Sequence, residues 1–184
     1  MFDLKKLDKT WTLFLDRDGV INQEKQDGYI NFWEEFAFYP GVPEAVGLLS
    51  KIFGHIIVIT NQRGIAKSET KKEHLENIHS RMIAALEKAG GKIDRLYYCP
   101  DLDDSSANRK PNPGMGLRAA TDFPFIDLSR SVMVGNNLSD MQFGRNLGSQ
   151  TVFLTTTHPD TNVTDSRIDA IFDSLLSFAL ALPA

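Results

Sequence analysis

TLFLDRDGVIN, residues 12–22, is apolar through Leu13, Phe14 and Leu15, then turns polar at once, with Asp16 and Asp18 flanking Arg17 and Gly19 next. An apolar run without alternation suits a strand covered on both faces, as in a parallel sheet, and the Asp-Gly step marks its exit into a turn. Four further runs share this character: HIIVIT (55–60), RLYYCP (95–100), SVMVGN (131–136) and TVFLT (151–155).

Helical patterns fill the intervals. One begins at Pro43, carries Val46, Leu49 and Phe53 on a stripe, and stops at Gly54. Thr70-Lys71-Lys72-Glu73 reads as a capping box that opens a helix with Leu75, Ile78, Met82 and Leu86 on one face, closed by Gly90-Gly91. Asn112-Pro113 starts a third, Ser139 caps a fourth that Gly148 ends, and SLLSFALAL (174–182) makes a last one. Strand and helix alternate throughout, with no repeat, linker or low-complexity tract. The expectation is a single α/β domain over residues 1–184, built on a doubly wound, mainly parallel five-stranded sheet.

The bulk properties agree. A chain of 184 residues can bury roughly 70% of its unfolded surface, and 42% apolar with 24% charged residues is ordinary for a globular protein. The apolar stretches are strand-length, so no membrane span is expected, and the charged start MFDLKKLDKTW has no signal-peptide core. Cys99 is the single cysteine, which excludes an internal disulfide and a multi-cysteine zinc site. A reducing, cytoplasmic setting follows as the expectation. A net charge of −4 without a Lys/Arg run offers no footprint for nucleic acid. A monomer or weak homodimer is expected.

Ligands of open α/β sheets bind outside the carboxyl ends of the strands. After the first strand stand Asp16 and Asp18; after the second, Thr60, Asn61, Gln62, Arg63 and Gly64; in the loop after the third, Arg109 and Lys110; after the fourth, Gly135, Asn136, Asn137 and then Asp140. Four loops thus deliver groups suited to phosphate and a divalent cation to one edge. Residues i and i+2 of an extended segment point the same way, so Asp16 and Asp18 share one side, and Mg²⁺ with its preference for hard oxygen ligands would relieve their repulsion. One Asp could then attack phosphorus while the other protonates the leaving oxygen and later deprotonates water. Each piece also has a plainer reading: an Asp-rich turn for the pair, a local hydrogen bond for Thr60, a solvated surface for Arg109 and Lys110. Convergence of the four loops, rather than any one motif, favours chemistry. No G-x-G-x-x-G, G-x-x-x-x-G-K-[ST] or G-x-S-x-G occurs, which removes the main support for nucleotide-binding or serine-hydrolase readings.

The ordered set DRDGVIN, TNQRGIA, RKPNPGM and VGNNLSDM resembles the four motifs of the haloacid dehalogenase (HAD) phosphatase superfamily, in the branch that holds heptose-bisphosphate and histidinol phosphatases. The similarity runs from about Trp11 to Thr155. The resemblance implies a HAD-like Rossmannoid fold, capless with a short flap, and a phosphomonoesterase working through an aspartyl-phosphate. It implies Asp16 as nucleophile, Asp18 as general acid/base, and Thr60 and Lys110 holding the phosphoryl group. Asp16, the Asp18 backbone oxygen and Asn136 would hold Mg²⁺. Asn61, Gln62, Arg63, Arg109 and the Asp27-Gly28-Tyr29 run would line the pocket of a small phosphorylated metabolite, a sugar bisphosphate first, with histidinol phosphate or a polynucleotide 3′-phosphate as alternatives. A phosphate-binding protein without turnover is the non-enzymatic alternative.

Two departures stand out. Position 136 is usually an aspartate in this superfamily; the amide of Asn136 keeps an oxygen ligand but loses a charge, which implies weaker metal binding, with Asp140 helping through a water. Many relatives in this branch also carry a zinc-binding Cys/His loop before RKP, whereas YYCPDLDDSSANRKP offers only Cys99. A short, zinc-free loop and a buried Cys99 are expected. His74 and His79, five apart on a helix, cannot form a metal pair and are expected to face solvent. The aromatic stretch Tyr29, Phe32, Trp33, Phe36 and Phe38 reads as the core of a flap over the site.

Overall fold

In the computed structural model, which describes residues 2–25, 27–161 and 164–183, the apolar runs become strands β1 (Thr12–Leu15), β2 (His55–Asn61), β3 (Arg95–Cys99), β4 (Ser131–Gly135) and β5 (Gln150–Leu154). A sixth, β6 (Ala170–Phe172), was not anticipated. It is three residues long and only half-buried at the sheet edge, too short to carry a readable pattern. All pairings are parallel and the order is β3-β2-β1-β4-β5-β6, so the six-stranded sheet replaces the expected five.

The helices are α1 (Val42–Ile52), α2 (Lys72–Lys88), α3 (Gly114–Asp122), α4 (Leu138–Leu147) and α5 (Leu175–Leu180). Alternation along the strands sorts them into two layers. Leu13, Leu15, Ile56, Val58, Val132 and Val134 face one way, onto Val46 and Leu49 of α1, Met82 and Leu86 of α2, and Phe178 of α5. Phe14, Ile57, Ile59 and Met133 face the other way, onto Met115 and Ala119 of α3 and Phe143 and Leu147 of α4. Both strand faces are therefore covered, which is why the strands read as continuous apolar runs. Each fully buried Leu, Ile or Phe contributes about 1.5–3 kcal/mol.

Two helix starts differ from expectation. Thr70 does not cap α2: Lys71 precedes the helix without a side-chain cap, and Thr70 Oγ1 instead donates to Asn31 Oδ1 at 2.7 Å, tying the segment after β1 to the α2 entrance. Asn137 rather than Ser139 caps α4, accepting from Ser139 N at 3.1 Å while Asp140 Oδ2 accepts from Asn137 N at 3.0 Å. The histidine expectation also fails. His79 is 6% exposed, because it lies four residues after Leu75 on the apolar stripe. His74 is half-buried, its ring 4.8 Å from that of Phe32. Trp33, Phe36 and Phe38 pack on one another and against the first core layer.

Candidate active site

Β1 ends at the centre of the sheet, between β2 and β4, and Asp16 follows it immediately. Its amide donates to Val134 O at 3.0 Å, which continues the β1–β4 pairing and fixes the start of the loop. The amides of Val20, Ile21 and Asn22 then turn back to Arg17 O, with Gly19 at φ +83°. Only glycine suits this position on two grounds: the left-handed backbone, and a Cβ that would come within 2.0 Å of the Asn136 amide.

Lys110 lies buried at the centre of the site. Its Nζ is 2.8 Å from Asp16 Oδ1 and 2.6 Å from Asp140 Oδ1, so one cation bridges the loop after β1 and the start of α4. Asn61, at the end of β2, clamps the Lys110 backbone from both sides: Oδ1 accepts from Lys110 N at 3.0 Å and Nδ2 donates to Lys110 O at 3.1 Å. Asp16 Oδ1 also accepts from Arg17 N at 2.7 Å. Burial and then the negative charge of Asp140 push the Asp16 carboxyl up to about 7. Lys110 does not reverse this, because it shares its charge between two carboxylates. Burial works against the Lys110 ammonium, yet Asp140 and Asp16 together hold its pKa above the ordinary value.

Asp18 is held differently. Arg17 Nε and NH2 donate to its Oδ1 at 3.1 and 2.6 Å, Asn22 Nδ2 donates to the same oxygen at 3.0 Å, and Gln62 Nε2 reaches Oδ2 at 2.8 Å. Burial pushes this carboxyl up, but the Arg17 charge and these hydrogen bonds outweigh it and leave it below the ordinary range. Gln62 Nε2 also donates to the buried Thr60 Oγ1 at 3.0 Å, linking the two loops.

Two adjoining cavities open at this edge. The smaller, about 230 Å³, is lined by Asp16, Thr60, Arg109, Lys110, Asn136 and Asp140 among others. The larger, about 400 Å³, is walled by Arg17, Glu24, Lys25, Asp27, Gly28, Tyr29 and Gln62. Asp18, Glu24 and Asn61 belong to both walls, so Asp18 stands at the junction. Of the residues anticipated from sequence, Arg63 alone stays away, exposed and off both walls. Arg109 is turned inward by its own loop, with Nε 2.8 Å from Asp104 Oδ1; Ser106 Oγ donates to Asp101 in the same loop, and Cys99 is fully buried behind it.

Asn136 Nδ2 donates to Thr157 Oγ1 at 2.6 Å, which turns its Oδ1 away from Thr157; that oxygen is buried and has no hydrogen-bond partner among the described residues. Together with three carboxylates near two buried cations, this orphaned oxygen fits a divalent cation. Among the described residues, no group of three His, Cys, Asp or Glu side chains is arranged to hold a metal by itself. A cation here therefore needs Asn136 and oxygens from backbone, water or substrate.

Sequence reasoning missed Arg17, Glu24 and His79. Arg17 and Glu24 carry no local signal, since arginine between two acids and glutamate in a loop read as surface residues. His79 had one, its place on the α2 stripe.

The HAD-hydrolase-like family model matches residues 107–178. The D-glycero-beta-D-manno-heptose-1,7-bisphosphate 7-phosphatase of Escherichia coli K12 is 34% identical over 180 residues, covering 92% of each chain. The D-glycero-alpha-D-manno-heptose-1,7-bisphosphate 7-phosphatase of Campylobacter jejuni is 38% identical over 146 residues, 79% of this chain and 83% of that protein. Among solved structures, the D,D-heptose 1,7-bisphosphate phosphatase of B. bronchiseptica, complexed with magnesium and phosphate, superposes with a TM-score of 0.82 at 28% identity, covering 92% of this chain and 96% of that one. The motifs, the parallel sheet and these likenesses agree: the chain belongs to the haloacid dehalogenase (HAD) superfamily and is a phosphatase of it.

Proposed function

We propose that the chain is a Mg²⁺-dependent phosphomonoesterase that removes one phosphate from a D-glycero-D-manno-heptose 1,7-bisphosphate through an aspartyl-phosphate on Asp16. The observation that carries this reading is the bridge of Lys110 between Asp16 and Asp140 in a cavity of about 230 Å³ that Thr60 also lines.

In the first step a carboxylate oxygen of Asp16 attacks phosphorus. Oδ1 is engaged by Arg17 N and Lys110, whereas Oδ2 has no hydrogen-bond donor among the described residues, so Oδ2 is the oxygen free to react. The P–O bond to the sugar breaks, and the leaving oxygen takes a proton from Asp18; the substrate's negative charge beside this carboxyl favours the protonated form that Arg17 by itself disfavours. In the second step Asp18 recovers a proton from water as that water attacks phosphorus; the P–O bond to Asp16 breaks and phosphate departs. Thr60 and Lys110 hold the phosphoryl oxygens, Lys110 as a point charge that strengthens as negative charge develops. Asp16, the Asp18 backbone oxygen and Asn136 Oδ1 would hold the cation. Bound there, Mg²⁺ supplies positive charge that keeps Asp16 ionised and offsets that of the phosphoryl group. The sugar occupies the larger cavity, where Asp27, Gly28, Tyr29 and Gln62 stand beyond Asp18.

The test sets heptose 1,7-bisphosphate, histidinol phosphate and a 3′-phosphorylated oligonucleotide side by side with Mg²⁺ and follows phosphate release. Fastest release from the heptose is expected. Faster release from either of the others overturns the substrate assignment, and steady-state turnover by Asp16→Asn overturns the covalent route.

A further inference from the structure

Arg17 is 2% exposed and heads the fully buried side chains by size, yet the chemistry above gives it no step. Its guanidinium spans two partners. Nε and NH2 both donate to Oδ1 of Asp18, while NH1 lies 3.0 Å from Nε2 of His79 on α2. A guanidinium has only donors, so His79 Nε2 must accept and the ring must be neutral, with its proton on Nδ1. The ring of Tyr98 also lies against it, 5.8 Å away between ring centres.

The consequence falls on the two oxygens of Asp18. An arginine beside a carboxylate prefers a fork with one donor on each oxygen. Here the fork is not made: both nitrogens reach Oδ1, and Asn22 Nδ2 adds a third donor to that oxygen. Among the described residues, Oδ2 accepts only from Gln62 Nε2. An oxygen with three donors has no acceptor site to spare, whereas Oδ2 keeps one open. The contact of NH1 with His79 fixes the plane of the guanidinium while Nε and NH2, the two donors of its side edge, both meet Oδ1.

We propose that His79, acting through Arg17, is a positioning residue that commits Asp18 Oδ1 to the scaffold and leaves Oδ2 as the oxygen that gives the proton to the leaving group and takes it back from water. This rests on the reading of Asp18 as general acid/base. Without the His79 acceptor the guanidinium is free to rotate as a unit, and Nε and NH2, which already face Asp18, can spread over both oxygens.

Leaving-group dependence separates this from a merely structural role. A sugar alkoxide needs a proton to depart, whereas the phenolate of p-nitrophenyl phosphate does not. His79→Leu should lower kcat/KM for heptose 1,7-bisphosphate by about tenfold to a hundredfold, part of the roughly 10²–10⁴ that general acid catalysis supplies. For p-nitrophenyl phosphate the loss should stay below about threefold, since that reaction draws little on the acid. His79→Gln, whose side-chain oxygen can accept from NH1, should return the ratio of the two substrates towards wild type. Should His79→Leu not fold, Arg17→Lys takes its place, keeping the charge beside Asp18 while offering no second nitrogen to His79. Asp18→Asn serves as the reference. If it shows the substrate discrimination and the His79 and Arg17 variants do not, the positioning role is overturned alone. If Asp18→Asn slows both substrates equally, the acid/base reading of Asp18 falls with it.

Discussion

Neutral His79 makes the fold acid-sensitive in a way that can be worked out. Burial first, then the Arg17 charge, bring its pKa from 6.5 down to about 3, and the nearby Asp18 charge opposes this only in part. A histidine whose folded pKa is depressed gives stability that is complete above the unfolded value and drains as pH falls towards the folded one, because the unfolded chain takes up the proton first. Each pH unit in that window is worth about 1.4 kcal/mol. Acidification from about pH 7.5 to about pH 5 crosses some 1.5 units below the unfolded value, so His79 alone should cost about 2 kcal/mol. Other carboxylates titrate as well, so the comparison must be with His79→Gln, which keeps a hydrogen-bond acceptor for Arg17 and has nothing to protonate. Urea unfolding of both proteins at the two pH values, in the presence of a chelator, gives the four free energies. Wild type should lose about 2 kcal/mol more than the variant on acidification. Equal losses, within about 0.5 kcal/mol, would mean that His79 is not held neutral against Arg17.

Three further outcomes are expected. Lys110→Met removes the cation shared by Asp16 and Asp140 and should lower turnover by about 10²–10³, the scale of one lost electrostatic contact in the transition state; less than threefold loss of phosphate release would contradict its role. Asn136→Asp adds a carboxylate beside Asp16 and should lower the Mg²⁺ concentration for half-maximal turnover; an unchanged value rejects Asn136 as a ligand. Phe143→Ala empties a fully buried site that meets the Phe14 ring edge-on at 6.4 Å and should cost about 3–5 kcal/mol in urea unfolding; a loss under about 1 kcal/mol would refute the packing between α4 and the sheet.

Much of this was legible in the chain. The doubly covered strands announced themselves as unbroken apolar runs, and all five were placed to within a residue at each end. The rule that ligands gather at carboxyl ends of strands brought Asp16, Thr60, Lys110 and Asn136 to one rim before any coordinate did. The failures share a cause. Thr70 and Ser139 both fit local capping patterns, but Thr70 found Asn31, thirty-nine residues away, and Ser139 lost the cap to Asn137. His79 was judged by its distance from His74 when its distance from Leu75 governed burial. Asn61, expected on the pocket wall, is there, but both ends of its amide are occupied with the Lys110 backbone.

The sequence by itself determined the alternation of strand and helix, the two apolar layers and the set of polar groups that meet at the edge, because periodicity and turn chemistry act over a few residues and leave their mark in order. Only the tertiary structure decided which distant buried groups are partners: Lys110 with Asp16 and Asp140, Arg17 with His79, Asp18 with Gln62. Those pairings depend on distances across tens of residues in a medium where a buried charge or donor must find a partner, and no local pattern records which partner is near.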